Sequence, residues 1–151
     1  MKAMLDTSAI IAAMLPDHVH HLEAHAWLNQ AKQGKFEFFV SGHSVAEIYA
    51  VLTRLPRQPR IQPSEAWQLI QENVVQKATV ITLTSVEYLR LIEKLSQRGI
   101  SGGQVYDAII AQAAESCHAE QLVTLNVSHF QKVWPEGIQR IVSPLTTAPP
   151  S

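Results

Sequence analysis

Cysteine is nearly absent from this 151-residue chain, which has Cys117 alone. No internal disulfide can form, and nothing points to an oxidising compartment. Cys117 sits in an apolar-periodic stretch and reads as a small buried hydrophobe. Charge of either sign is also scarce. Twelve Lys and Arg face thirteen Asp and Glu, a net charge near −1. That balance argues against a protein held to nucleic acid by bulk electrostatics and leaves room only for a local basic patch. No apolar run approaches the roughly 18–20 residues that a membrane-spanning helix needs. The first residues carry one Lys and a short apolar run cut by Asp6, unlike a signal peptide. A cytoplasmic protein with no membrane partner is expected.

What is present is an apolar fraction of 46% in a length suited to one domain. Residues 1–143 are expected to form that domain, with 144–151, ending in "TTAPPS", a disordered tail. Short apolar runs predict strands at 2–5, 36–40, 78–83, 121–125 and 138–142. Helical spacing separates them at 20–33, 44–55, 64–76, 85–97 and 104–117, with a short helix over 7–14. On 20–33 the apolar side is read as Leu22, Ala26 and Trp27, and on 64–76 as Trp67, Leu69, Ile70 and Val74. The Pro-rich "RLPRQPRIQPS" (54–64) is a helix–helix connection. Strands alternating with helices predict an α/β fold, a mostly parallel sheet of about five strands covered by helices on both faces. In such sheets ligands bind beyond the carboxyl ends of the strands.

Asp6 follows the first strand, so the polar residues after the other elements matter most. Each has a structural reading. Asp6 can cap helix 7–14. "SVAE" (44–47) fits a capping box joining Ser44 and Glu47, and "SGGQ" (101–104) fits another. Asp107 then lies in a first helical turn, where the macrodipole favours negative charge. Asn126 can be a turn or cap residue. Together they look different. Aspartate occurs only three times, and two of those are Asp6 and Asp107. On helical wheels Asp107 borders an apolar face beside Ala114, and Glu47 borders its stripe beside Val51. Carboxylates at a core border want a compensating cation. Several of them converging make the hard, oxygen-rich environment that Mg²⁺ or Mn²⁺ prefers.

"MLDTSAII", "SVAEIYAVLTRLP", "YDAIIAQAA" and "LVTLNVSHF" stand in the order and spacing of the PIN-domain ribonucleases. The chain most resembles the VapC-like toxins of bacterial toxin–antitoxin pairs, from residue 2 to about 143. The resemblance implies a PIN-like three-layer fold and maps the family's metal-binding acids onto Asp6, Glu47 and Asp107. Its fourth polar position, often acidic, maps onto Asn126, whose neutral amide would bind a divalent cation more weakly. Thr7, Ser8 and Thr124 fall where the family places hydroxyls. The implied activity is Mg²⁺- or Mn²⁺-assisted hydrolysis of RNA phosphodiesters, leaving 5′-phosphate and 3′-hydroxyl ends. A small cognate antitoxin and a homodimer are the implied partners, with Val19, Leu22 and Trp27 as an interface face. A housekeeping PIN nuclease and a non-catalytic RNA- or protein-binding PIN-like domain are the alternatives.

Other features are weaker. His21 and His25 have i, i+4 spacing, but HExxH is absent and zinc lacks a third ligand. His43, His118 and His129 stand alone and are expected to satisfy local hydrogen bonds. Arg54, Arg57 and Arg60, half of the arginines in the chain, form either a solvated loop or a phosphate-contacting edge. A haloacid-dehalogenase-like phosphatase needs an Asp where Ser8 stands. A response-regulator receiver needs an acidic neighbour for Asp6 and a Lys after "LVTL", and has neither.

Overall fold

Every connection between successive strands passes through helix, and the outcome is a sheet whose five strands all run parallel. The structure is a computed structural model describing residues 1–151. In chain order the elements are β1 (Lys2–Leu5), α1 (Thr7–Met14), α2 (His21–Lys32), β2 (Glu37–Ser41), α3 (Gly42–Arg54), α4 (Pro63–Ile70), β3 (Thr79–Ile81), α5 (Ser85–Gln97), α6 (Gln104–Ser116), β4 (Gln121–Val123), α7 (Val127–Val133) and β5 (Ile141–Val142). A π-helical turn, Gln71–Val75, extends α4, and a 3-10 turn, Pro135–Arg140, precedes β5. The strand order is β3-β2-β1-β4-β5, with Ala3 beside Phe38 and Met4 beside Leu122.

Alternation along each strand divides the core in two. Ala3, Leu5, Phe38, Val40 and Val123 face one side, against Ile10, Trp27, Leu28, Ile48, Leu52 and Ile70 from α1 to α4. Met4, Phe39 and Leu122 face the other, against Leu91, Leu95, Ile110, Ala114 and Phe130 from α5, α6 and α7. Each fully buried large aliphatic side chain contributes about 1.5–3 kcal/mol. The expected three-layer α/β/α architecture is therefore what the chain forms.

Several local expectations are corrected. On α2 the buried residues are Ala24, Trp27, Leu28 and Ala31, the i, i+3, i+4, i+7 set. Leu22 is 82% exposed. On α4 and the π-helical turn after it, Ala66, Ile70 and Val74 are buried, at i, i+4 and i+8, while Trp67 stays half-exposed. Neither expected capping box forms. Helix α3 starts at Gly42 with Ser41 as its cap, and α6 starts after Gly103 with no side-chain cap. Helix α7 was not expected. Its signals were short: Phe130 and Val133 at i, i+3, and Pro135 two residues past the end. The Arg-rich segment does connect α3 to α4. Cys117 is half-buried. The Thr147 carbonyl accepts from Trp27 Nε1 at 2.9 Å.

Candidate active site

The chain leaves β1 towards β2 on one side and returns on the other as β4. That reversal leaves a crevice at the carboxyl ends of β1 and β4. Asp6 is the first residue after β1, and Thr124 the first after β4. Asp6 is 2% exposed. Its Oδ1 accepts from the Ala9 N–H at 2.9 Å and from Ser8 Oγ at 2.8 Å, and its Oδ2 accepts from Thr124 Oγ1 at 2.6 Å. The two hydroxyls are oriented from behind. Ser8 Oγ accepts from the Leu125 N–H at 3.0 Å, and Thr124 Oγ1 accepts from the Asn126 N–H at 2.9 Å. Each therefore has its one proton free for Asp6. Asp6 is both the cap of α1 and a buried carboxylate, so the two readings of it are compatible. Burial outweighs the hydrogen bonds, and the Asp107 charge adds to it, so the Asp6 carboxyl is raised to about 6.

Glu47 comes from the second turn of α3. Thr7 Oγ1 lies 2.7 Å from Glu47 Oε1 and 3.0 Å from Ser44 Oγ. A hydroxyl has one proton, and the carboxylate is the better acceptor for it. Ser44, fully buried, supports Thr7 instead of capping the helix. Asp107, in the first turn of α6, is half-buried. Burial raises its carboxyl, the nearby His129 and His43 pull it down, and the Glu47 charge pushes it up. His129 Nδ1 stands 3.9 Å from Asp107 Oδ2, and His43 Nε2 stands 3.5 Å from Glu47 Oε1.

Asp6, Glu47 and Asp107 thus come from three elements to the carboxyl-end side of the sheet, where Asp107 repels Asp6 and Glu47 repels Asp107. As placed, no three His, Cys, Asp or Glu side chains stand close enough together to hold a metal ion. Asp6 is turned to its hydroxyls, Glu47 to Thr7 and Asp107 towards His129. The donor chemistry nonetheless fits a hard divalent cation: all-oxygen acids whose mutual repulsion a cation would relieve. The other expected site residues divide. Thr7, Ser8 and Thr124 orient the acids. Asn126 begins α7 with an exposed side chain that caps nothing. Arg54, Arg57 and Arg60 are not at the acids. Arg54 is seven residues along α3 from Glu47, about 10 Å at helical rise. Arg57 pairs with Asp17 at 3.0 Å.

Residues missed by sequence reasoning surround Asp107. His43 and His129 were expected to satisfy local hydrogen bonds, yet His43 Nε2 is buried beside Glu47 without a hydrogen bond and its ring stacks on Tyr106. The stack has a centroid distance of 4.8 Å and an angle of 8°. A polar cavity of about 390 Å³ opens beside Asp107, lined also by Ser101, Gly103, Gln104, His129 and Lys132. The i, i+4 spacing of His43 and Glu47 was a usable signal. The meeting of His43 with Tyr106 had none. His21 and His25 lie with ring centroids 5.1 Å apart, and His21 Nδ1 is bonded to the Ala12 carbonyl at 2.9 Å.

A parallel α/β/α sandwich with acids gathered at this switch point is the arrangement of a PIN domain. The family model of that domain matches residues 3–133, and the chain belongs to the family. Among known proteins it is similar to Ribonuclease VapC27 of Mycobacterium tuberculosis (strain ATCC 25618 / H37Rv), 38% identical over 116 residues that cover 77% of this chain and 79% of that one. It is also similar to Ribonuclease VapC40 of the same species (strain CDC 1551 / Oshkosh), 28% identical over 78% of this chain and 81% of that one. In fold it resembles VapBC2 from Rickettsia felis bound to a DNA fragment from its promoter, with a TM-score of 0.65, 19% identity, and coverage of 95% of this chain and 98% of that one. VapBC-1 from nontypeable Haemophilus influenzae matches with a TM-score of 0.65 and 19% identity, covering 97% of this chain and all of the other.

Proposed function

We propose that this chain is a divalent-metal-dependent ribonuclease that hydrolyses RNA phosphodiester bonds, and the toxin of a VapBC-like pair. The observation that carries the reading is Asp6. Beyond capping α1, this carboxylate is 2% exposed at a switch point, held by two pre-oriented hydroxyls and repelled by the Asp107 charge, a costly placement that a bound cation would relieve. Asp6 and Asp107 would hold Mg²⁺ or Mn²⁺, with Glu47 as a further ligand or as acceptor of the proton from the attacking water. When bound, the cation supplies charge neutralisation at the phosphate and a lowered pKa for water. Thr7 keeps the near oxygen of Glu47 fixed. Ser8 and Thr124 keep Asp6 from turning away. Asn126 adds a neutral oxygen at the edge, a weaker ligand than a carboxylate. Arg54, exposed about 10 Å further along α3, and Arg60, exposed in the connection after it, suit phosphates leaving the site.

Partners follow from the same reading: RNA as substrate, a small antitoxin, and a second copy of the chain. The test is cleavage of structured RNA with Mg²⁺ or Mn²⁺, with EDTA, and with Asp6→Asn. Cutting should require metal and vanish in Asp6→Asn while the circular dichroism spectrum stays intact. Metal should raise the melting temperature of the wild type by linkage and do much less for the variant. Full activity in Asp6→Asn would refute the assignment. A small protein encoded beside this one that copurifies with it and silences cutting is the partner the toxin reading requires.

A further inference from the structure

The two flanks of Asp107 differ in chemistry. Around α6, Tyr106 is turned about 100° to one side of Asp107 and Gln104 about 60° to the other. On the first flank Tyr106 is 49% exposed. Its ring lies parallel on His43, whose own position is set by α3 and by Glu47. The backing holds the Tyr106 ring in place and leaves an aromatic surface at the rim of the acid cluster. On the second flank lies the polar cavity, which holds His129 and Lys132. Lys132 forms no ion pair within the chain and is the one Lys or Arg side chain lining that cavity.

A single-stranded nucleic acid offers two things at each nucleotide, a π-face and an anion. Proteins hold it by aromatic stacking and by cations along the backbone. We propose that Tyr106 is a nucleobase platform and Lys132 a phosphate contact, which together place an unpaired nucleotide across Asp107. This rests on the ribonuclease reading for its substrate and adds how that substrate is gripped. A base paired within a duplex has both faces covered by its neighbours and cannot use the platform. The chain would therefore act where RNA is unpaired. Both residues are positioning residues, since neither touches the reacting oxygen atoms.

The test is binding of fluorescently labelled 10-nucleotide single-stranded RNA in EDTA, so that cutting does not enter. Wild type, Tyr106→Ala, Tyr106→Trp and Lys132→Gln are compared, with Lys35→Gln at the opposite edge of the sheet as control. Tyr106→Ala should weaken binding roughly ten-fold at unchanged salt dependence, and Tyr106→Trp should restore it. Lys132→Gln should weaken binding and reduce the logarithmic salt slope by about 0.7. A 2-aminopurine in the RNA should be quenched by wild type and not by Tyr106→Ala. The platform is overturned if wild type binds no RNA, or if Tyr106→Ala binds and quenches like wild type. The phosphate contact is overturned by an unchanged slope. If wild type binds as expected but cuts nothing with Mg²⁺ or Mn²⁺, the nuclease reading fails and the grip stands.

Discussion

Asp6 concentrates the cost of the site in one residue. Its carboxyl is raised from the ordinary 3.8 to about 6, so between those values the folded chain binds a proton that the unfolded chain has lost. Stability contributed by this group therefore falls as pH rises from about 4 to 6 and then levels off. The loss amounts to about 3 kcal/mol. In EDTA, urea denaturation of wild type and Asp6→Asn across pH 4–7 isolates the effect from the other acids. The variant should gain on wild type through that window. A difference between the two proteins that stays constant with pH would contradict the burial argument. Asp6 was legible in the sequence because a carboxylate directly after an apolar run is a local signal. Thr124, 118 residues away, was placed only by family resemblance, and its 2.6 Å bond to Asp6 exists because β1 and β4 are neighbours.

Among the elements, the segment after β4 shows how tightly local packing is tuned. The indole of Trp134 is 5% exposed and lies under Gly137, with the Arg140 guanidinium 4.5 Å from its ring centroid. A Cβ at Gly137 would lie 2.1 Å from Trp134 Cε2. Gly137→Ala must therefore displace an indole that packs beside Phe130 and Ile141. Overpacking of this kind costs about 1–3 kcal/mol. A thermal melt several degrees below wild type is expected, and an unchanged melt would show that the indole can move freely. This glycine carries no signal in the sequence. Nothing about "WPEG" reveals which way an indole folds back. The starts of α3 and α6 were misread for a related reason. Several hydroxyls and glycines precede each helix, and local patterns do not choose among them. Ser44 was claimed by Thr7 across the fold.

The whole molecule leaves one apolar face without a partner. On α5, Val86, Leu89 and Ile92 are 54%, 73% and 48% exposed, at i, i+3 and i+6. Val80 on the edge strand β3 is also open. The interface expected from Val19, Leu22 and Trp27 cannot form as such, because Trp27 is fully buried in the core. For the second copy proposed above, the α5 face is the exposed apolar surface the fold offers. Sedimentation at high micromolar concentration should give a dimer, and Leu89→Lys should return it to monomer without lowering helix content. A wild type that stays monomeric counts against the dimer.

The sequence by itself determined the alternation of strands and helices and the parallel sheet, and it marked Asp6, Glu47 and Asp107 as carboxylates at the ends or borders of apolar stretches. Those follow from periodicity along the chain and from charge placed at the ends or borders of apolar stretches, which are properties of neighbouring residues. Only the tertiary structure decided which partner each carboxylate takes, that Tyr106 lies on His43, and which face of α2 turns inward. These depend on contacts between residues 22 to 118 positions apart, formed when the sheet places β1 between β2 and β4. A helical stripe specifies that some face is buried. The neighbouring layer, with its available volume and its hydrogen-bond donors, selects which one.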